Sequence, residues 1–307
     1  MLRIVFTCLI FIVITVPAAT ITPIPQNIEY NLNKALLGKK LFNDTRLSSN
    51  NTLSCASCHD LQNGGDDNLI FAVGVDGAIG NINTPTVLNS TFNFRQFWDG
   101  RAKNLQEQAY GPIENPIEMA HDFSKLIPQL KETEYKNEFS KVYKDGITKK
   151  NVANAIAEFE KTLITPNSRF DRYLRGEKDI LSNFEKEGYR LFKDKGCITC
   201  HHGVNIGGNL YNKFGTLIEI ENDNLGRFNV TKNKDDKYYF KVPSLRNIAL
   251  TSPYFHDGRY YDLESTVTTM ALVQLGRPMK QDEILSIVAF LKTLTGELKI
   301  IENRKHD

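Results

Sequence analysis

Cys55-Ala56-Ser57-Cys58-His59 and, 142 positions on, Cys197-Ile198-Thr199-Cys200-His201 decide how this chain folds. Each pentad is C-x-x-C-H, the attachment signature of a c-type haem. Two thioethers hold the porphyrin edge while the adjoining His reaches the iron from the proximal side. A zinc site would gather its ligands around one ion, and a thioredoxin-like redox pair would not explain a His after both pairs. The pattern therefore demands two covalent haems, attached through Cys55 and Cys58 and through Cys197 and Cys200. His59 and His201 are then the proximal iron ligands. The fifth cysteine, Cys8, lies in an apolar run near the N-terminus and takes no part.

Working outward, the surroundings of the two pentads repeat. Glu29 to Phe42 carries apolar residues at helical spacing before the first pentad. Ser182, with Glu185 three residues later as a capping box, opens a second such segment, which runs through Phe184, Gly188 and Leu191 into Cys197. Gly64-Gly65 follows the first pentad and Gly207-Gly208 the second. Both halves thus read helix, pentad, Gly-rich loop. The expected fold is mainly α: two cytochrome c-like domains, each with one haem, and the active site toward their interface. Val152, Ile156, Phe159 and Leu163 mark one face of a helix beginning near Thr148 that closes the first half. Ile284, Ile287, Val288 and Leu291 mark a last helix with Gly296 as its stop. Thr165-Pro166-Asn167-Ser168 reads as the linker. The expected division is residues 20–166 and 167–307, after an N-terminal segment 1–19.

Composition supports a soluble globular protein. Of 307 residues 24% are charged and 41% hydrophobic, with 38 Lys+Arg against 36 Asp+Glu. That balance excludes a disordered chain, a multi-span membrane protein and a strongly basic nucleic-acid binder. The run Ile4–Ala19 follows Arg3 and ends in Val16-Pro17-Ala18-Ala19. A basic start, an apolar core and a small-residue exit read as a secretory signal peptide, and the run is short for a membrane anchor. Removing it leaves basic and acidic residues almost equal, so charge does not identify a partner.

Haem attachment alone does not separate carrying electrons from doing chemistry; the sixth ligand and the distal pocket do. Beyond residue 19 the methionines are Met119, Met270 and Met279, and a lone Met is usually core filler. The single Trp stands in Phe97-Trp98-Asp99-Gly100-Arg101. Gln106-Glu107-Gln108 follows, then Gly111-Pro112-Ile113-Glu114-Asn115-Pro116-Ile117-Glu118-Met119. Gly111, Pro112 and Pro116 suggest an irregular, rigid loop able to hold a carboxylate over a haem face.

These motifs give the chain a family likeness. Leu47-Ser48-Ser49 leading into the first pentad, Asn83-Thr84-Pro85-Thr86-Val87-Leu88-Asn89, Phe97–Arg101 and Asn115–Met119 resemble, in order, those of the bacterial di-haem cytochrome c peroxidases. So do Val242-Pro243-Ser244-Leu245-Arg246-Asn247 and Pro253-Tyr254-Phe255-His256-Asp257-Gly258. The resemblance covers nearly the whole chain after residue 19. It implies a peroxidatic N-terminal haem and a higher-potential C-terminal haem with His201 and Met270 as axial ligands. It also implies Glu118 as the catalytic carboxylate, Gln108 as its partner across the distal pocket, and Trp98 between the haems. A calcium ion would take oxygens from Asn83 and the carbonyls of Thr251 and Pro253. Hydrogen peroxide would be the substrate, a small c-type cytochrome or a cupredoxin the donor, and the periplasm the compartment; the family also forms homodimers.

One departure stands out. Many members carry a His in the loop after the first pentad that blocks the peroxidatic iron until the other haem is reduced; here that place is held by Val75. No His occurs between Asp60 and Ala120. The expectation is a first haem that stays open when fully oxidised. His121 is the one nearby substitute for that His but reads rather as a surface residue beside a helix start, His202 as surface or outer-sphere, and His256 as orienting the second haem's surroundings. Two other functions compete. A di-haem electron carrier would leave Glu118 and Gln108 without a role. A protein-oxidising relative, the methylamine-dehydrogenase maturation enzyme, has a Tyr where Met270 stands.

Overall fold

The computed structural model describes residues 20–220 and 223–302; the expected signal peptide lies outside the described residues. Twelve helices and one two-stranded ribbon are present among them. The first half holds α1 (Leu32–Phe42), α2 (Cys55–Cys58), α3 (Leu105–Gln108), α4 (Tyr110–Glu114), α5 (Phe123–Lys131), α6 (Tyr135–Val142) and α7 (Lys149–Lys161). The second holds α8 (Arg169–Leu174), α9 (Asn183–Asp194), α10 (Phe228–Thr231), α11 (Leu263–Val273) and α12 (Gln281–Lys292). Strands β1 (Tyr211–Lys213) and β2 (Tyr239–Lys241) pair antiparallel, Tyr211 opposite Lys241.

The helix signals act locally as expected, with three differences. Asn31 caps α1 by accepting from the Lys34 amide, so the helix begins three residues after Glu29. Ser182 and Glu185 form the capping box of α9, and Thr148 caps α7 through the Asn151 amide. Tyr110–Glu114, read as irregular loop, is a helical turn. Pro112 is tolerated there because a first-turn amide has no intrahelical partner to lose. The last helix ends at Lys292, before Gly296, whose amide instead donates to Asn247 Oδ1 at 2.9 Å.

Two helix crossings anchor the halves, and they are near copies. In the first, α1 lies so close to α7 that a methyl on Gly38 would sit 1.9 Å from the Ala155 carbonyl oxygen. In the second, α9 approaches α12 so that a methyl on Gly188 would sit 1.9 Å from the Ser286 carbonyl oxygen. Only glycine permits this approach at either place. Phe42 packs on Phe159 and Phe192 on Phe290, each pair with ring centroids 5.2 Å apart. Burying each such ring stabilises the fold by about 1.5–3 kcal/mol. The duplication inferred from the pentads therefore extends to the packing beneath them.

The chain ends cross between the halves. Ile21 packs into the second-half core, and the buried Ile24 donates its amide to Asp171 Oδ1 at 3.0 Å. Leu298, Ile300 and Ile301 pack against the core of Phe42, Val87, Phe159 and Leu163 in the first half, where Lys39 Nζ donates to the Ile301 carbonyl at 2.8 Å. The Thr165–Ser168 stretch is itself held: Thr165 is buried and its amide donates to Asn89 Oδ1 at 2.9 Å, while Ser168 caps α8. Arg246 ties several of these pieces together. Its Nη1 meets Asp171 Oδ1 at 2.8 Å, its Nη2 the Thr22 carbonyl and its Nε the Val204 carbonyl, both at 3.0 Å.

Candidate active site

Each pentad folds into a tight turn in which the His amide donates to the carbonyl of the first Cys, at 3.0 Å for both His59–Cys55 and His201–Cys197. The imidazoles are oriented alike. His59 Nδ1 lies 3.0 Å from the Gly65 carbonyl and His201 Nδ1 3.3 Å from that of Ile206. A carbonyl accepts only from a protonated Nδ1, which leaves Nε2 as the free lone pair for a metal. The ring of Phe42 stands 6.5 Å from His59, and that of Phe192 stands 6.5 Å from His201. Burial pushes the thiols up, Cys55 to about 12 and Cys58 and Cys197 to about 11. Neutral, buried thiols are the opposite of the low-pKa thiolates of a redox dithiol.

Beside each pentad is a largely apolar cavity, about 290 Å³ at the first and about 240 Å³ at the second. Free thiols at the rim, an imidazole with Nε2 available and an apolar slot together fit a covalently attached haem in each. The two cavities share a wall, since Asn83–Thr86, Trp98 and Lys241 line both. Trp98 Nε1 donates to the Asn83 carbonyl at 2.9 Å. Its ring meets His256 edge-on at 6.1 Å, and His256 stacks on Phe240 at 4.2 Å.

Glu118 and Gln108 both line the first cavity, with Pro112, Arg101 and Phe97. Glu118 sits at the end of a turn in which Asn115 bonds the Ile117 amide at 3.2 Å and gives Nδ2–H to Glu118 Oε1 at 2.6 Å. Burial raises the Glu118 carboxyl above its ordinary range; the Asn115 hydrogen bond and the Arg101 charge pull it partly back. Val75 is buried, and its amide donates to the Glu118 carbonyl at 2.8 Å. The loop that bears Val75 is thus fastened to the loop that bears Glu118.

Met270, on α11, lines the second cavity together with Cys197, Cys200 and His201; Met279 lines it too, whereas Met119 packs in the first-half core and reaches the first cavity. Asn83, Thr251 and Pro253 come together in the wall of the second cavity. Asn83 Nδ2 donates to the Leu69 carbonyl at 2.8 Å, and the carbonyls of Thr251 and Pro253 accept no backbone hydrogen bond among the described residues. His121 corrects the surface reading: it is buried, with Nε2 3.1 Å from Gln129 Oε1, because its amide is tied to the Ile113 carbonyl at 2.7 Å. His202 is half-buried beside Asn209. Two charged residues went unnoticed in the sequence, Glu160 and Lys241, both buried against the first cavity. A helix carboxylate and a strand lysine carry no signal of burial until the fold is known.

Residues 32–179 match the family described as Di-haem cytochrome c peroxidase, and residues 185–295 match Cytochrome c. The cytochrome c551 peroxidase of Nitrosomonas europaea is 50% identical over 283 residues, covering 90% of this chain and 84% of that protein. This chain belongs to the di-haem cytochrome c peroxidase family. The Escherichia coli cytochrome c peroxidase is 48% identical over 90% of this chain, which spans 61% of that longer relative. Among solved structures, a MauG-like protein associated with microbial copper homeostasis superposes with a TM-score of 0.80 at 27% identity, over 94% of this chain and 97% of the other. Like its family, the chain is built from two cytochrome c-like regions that take c-type haems.

Proposed function

We propose that this di-haem peroxidase reduces hydrogen peroxide to water in the periplasm, with electrons from a small c-type cytochrome or a cupredoxin. The observation that carries the reading is asymmetry. Glu118 and Gln108 converge on the His59 cavity, Met270 lies in the His201 cavity, and Trp98 stands in the wall between. When bound in the His59 cavity, a haem would supply the redox-active iron that takes up peroxide and stores oxidising equivalents.

The chain's own residues do the rest. Glu118, as carboxylate, accepts a proton from the inner oxygen of hydrogen peroxide and returns it to the outer one, so that water rather than hydroxide leaves. Gln108 orients the peroxide and stabilises the charge that develops on it. Two electrons and two protons complete reduction to two waters. Glu118 is only half-buried, which keeps its proton exchangeable with solvent. His59 and His201 hold their irons, Met270 raises the potential of the second centre, and Trp98 offers an aromatic bridge. Asn83, Thr251 and Pro253 would hold a calcium ion beside it. Residues 1–19 support export, and among the described residues no helix is long and apolar enough to cross a membrane.

Valine cannot ligate iron, so with Val75 where many family members carry a His, a haem held by His59 would need no reductive activation to admit peroxide. The test is peroxide-dependent oxidation of a reduced c-type cytochrome by the holoprotein, once fully oxidised and once half-reduced. A prompt first turnover from the fully oxidised form is expected. Activity only after half-reduction overturns the reading of Val75, and inactivity in both states moves the assignment to an electron carrier. Met270, where the protein-oxidising relative has Tyr, supports peroxide reduction over side-chain oxidation.

A further inference from the structure

Lys241 closes β2 in the wall common to both haem cavities. Its residue surface is 6% exposed. The backbone is fixed on both sides: its amide donates to the Trp98 carbonyl at 2.7 Å and the next amide, Val242, to the Leu210 carbonyl at 3.0 Å. The ammonium group makes no hydrogen bond or ion pair with any described residue. Burial accordingly pulls it down, to about 8. A buried cation without a counter-charge is costly, by several kcal/mol in the general case, unless an anion arrives from elsewhere. The carboxylate of Glu160 also lines the first cavity, and its Oε2 is buried without a hydrogen-bond partner among the described residues.

The anions that suit this position belong to the cofactors. Each c-type haem is tied to the protein at its thioether edge and carries two carboxylates on the opposite edge. Cys55 and Cys58 fix one haem at one side of the first cavity, Cys197 and Cys200 the other haem in the second, and Lys241 is in the partition. We propose that Lys241 is a shared counter-ion for haem carboxylates from both cavities, and that its charge holds up the reduction potential of the haems it faces. It is a positioning and tuning residue, not a catalytic one. The inference rests on the two haem sites and is independent of the roles given to Glu118 and Val75.

The sign follows from electrostatics. Reduction adds an electron, and a nearby positive charge, poorly screened in the interior, favours the reduced form. K241Q and K241L remove the charge; K241R keeps it. An apolar side chain in place of a buried charge is often neutral or stabilising, so K241L guards against the chance that K241Q perturbs the fold. The measurement is a spectroelectrochemical titration of both haems in each holoprotein, with haem content from the pyridine haemochrome spectrum. Expected is a fall in potential for at least one haem in both K241Q and K241L. Its size is about a tenfold change in the oxidised-to-reduced ratio, or about 59 mV for a one-electron couple, and K241R stays near wild type. Haem content is unchanged because the thioethers are untouched. Unaltered potentials in K241Q and K241L overturn the proposal, as does a fall in K241R equal to theirs, which would mark Lys241 as packing alone.

Discussion

Replacing Arg246 by Leu isolates the buried ion pair that fastens the second half. Both partners are fully buried, with side-chain exposure of 0% for Arg246 and 0% for Asp171. The change removes the Nη1 bond to Asp171 and the bonds to the Thr22 and Val204 carbonyls. Asp171 keeps the Ile24 amide and the Ser168 hydroxyl but loses its only ion-pair partner among the described residues. An uncompensated buried charge of this kind costs about 3–5 kcal/mol, roughly a fifth or more of a typical domain's stability of about 5–15 kcal/mol. The Val204 carbonyl lies in the same loop as Ile206, whose carbonyl orients His201, so the loss reaches the second haem. The assay is denaturant unfolding of the holoprotein, followed by far-ultraviolet circular dichroism and by haem absorbance. The double variant R246L/D171L removes both charges and should recover most of the loss. A cost below about 1 kcal/mol for R246L, or a double variant no better than the single, would refute the reasoning.

Two further outcomes concern carboxylates. E118Q should lower peroxide turnover by about 10²–10⁴-fold. In the wild type, activity should rise with pH through the raised Glu118 pKa, because only the carboxylate can take the first proton; E118Q should lose that acid limb. A pH–rate profile unchanged by E118Q would exclude Glu118 as the proton carrier. Glu160 is pushed from 4.5 to about 8 by burial, so the folded state holds its proton where the unfolded chain has released it. Its contribution is therefore fully present below 4.5 and lost as pH rises toward 8, by roughly 3–5 kcal/mol in all. E160Q should flatten that decline in urea unfolding between pH 5 and 8; an unaltered slope would show that other groups carry it.

The features legible in the sequence were those whose cause is local. C-x-x-C-H dictates its own turn, and Ser182 and Thr148 announce their helices because capping uses atoms three residues apart. Family motifs led to Glu118, Gln108, Trp98 and Met270, residues whose roles the spacing of side chains alone would not have suggested. What stayed hidden depends on distant chain. Lys241 and Glu160 look like ordinary solvated charges until the halves close on them. Arg246 sat in a recognisable motif, yet its partners Thr22, Asp171 and Val204 are scattered through the sequence. His121 was misjudged for the same reason, since a segment's neighbours rather than its composition turned it inward.

The crossed chain ends bear on how the protein is made. Synthesis runs from the N-terminus, so residues 20–24 are made well before the groups that receive them, Gly203, Asp171 and Arg246, which follow more than a hundred residues later. The opening strap must wait, unanchored, until the second half exists. The tail at 298–301 closes last, onto a helix formed near the start. Both clasps therefore form only after the second half has been made, and a nick in the Thr165–Ser168 stretch would leave two pieces still clasped through residues 20–24 and 298–301.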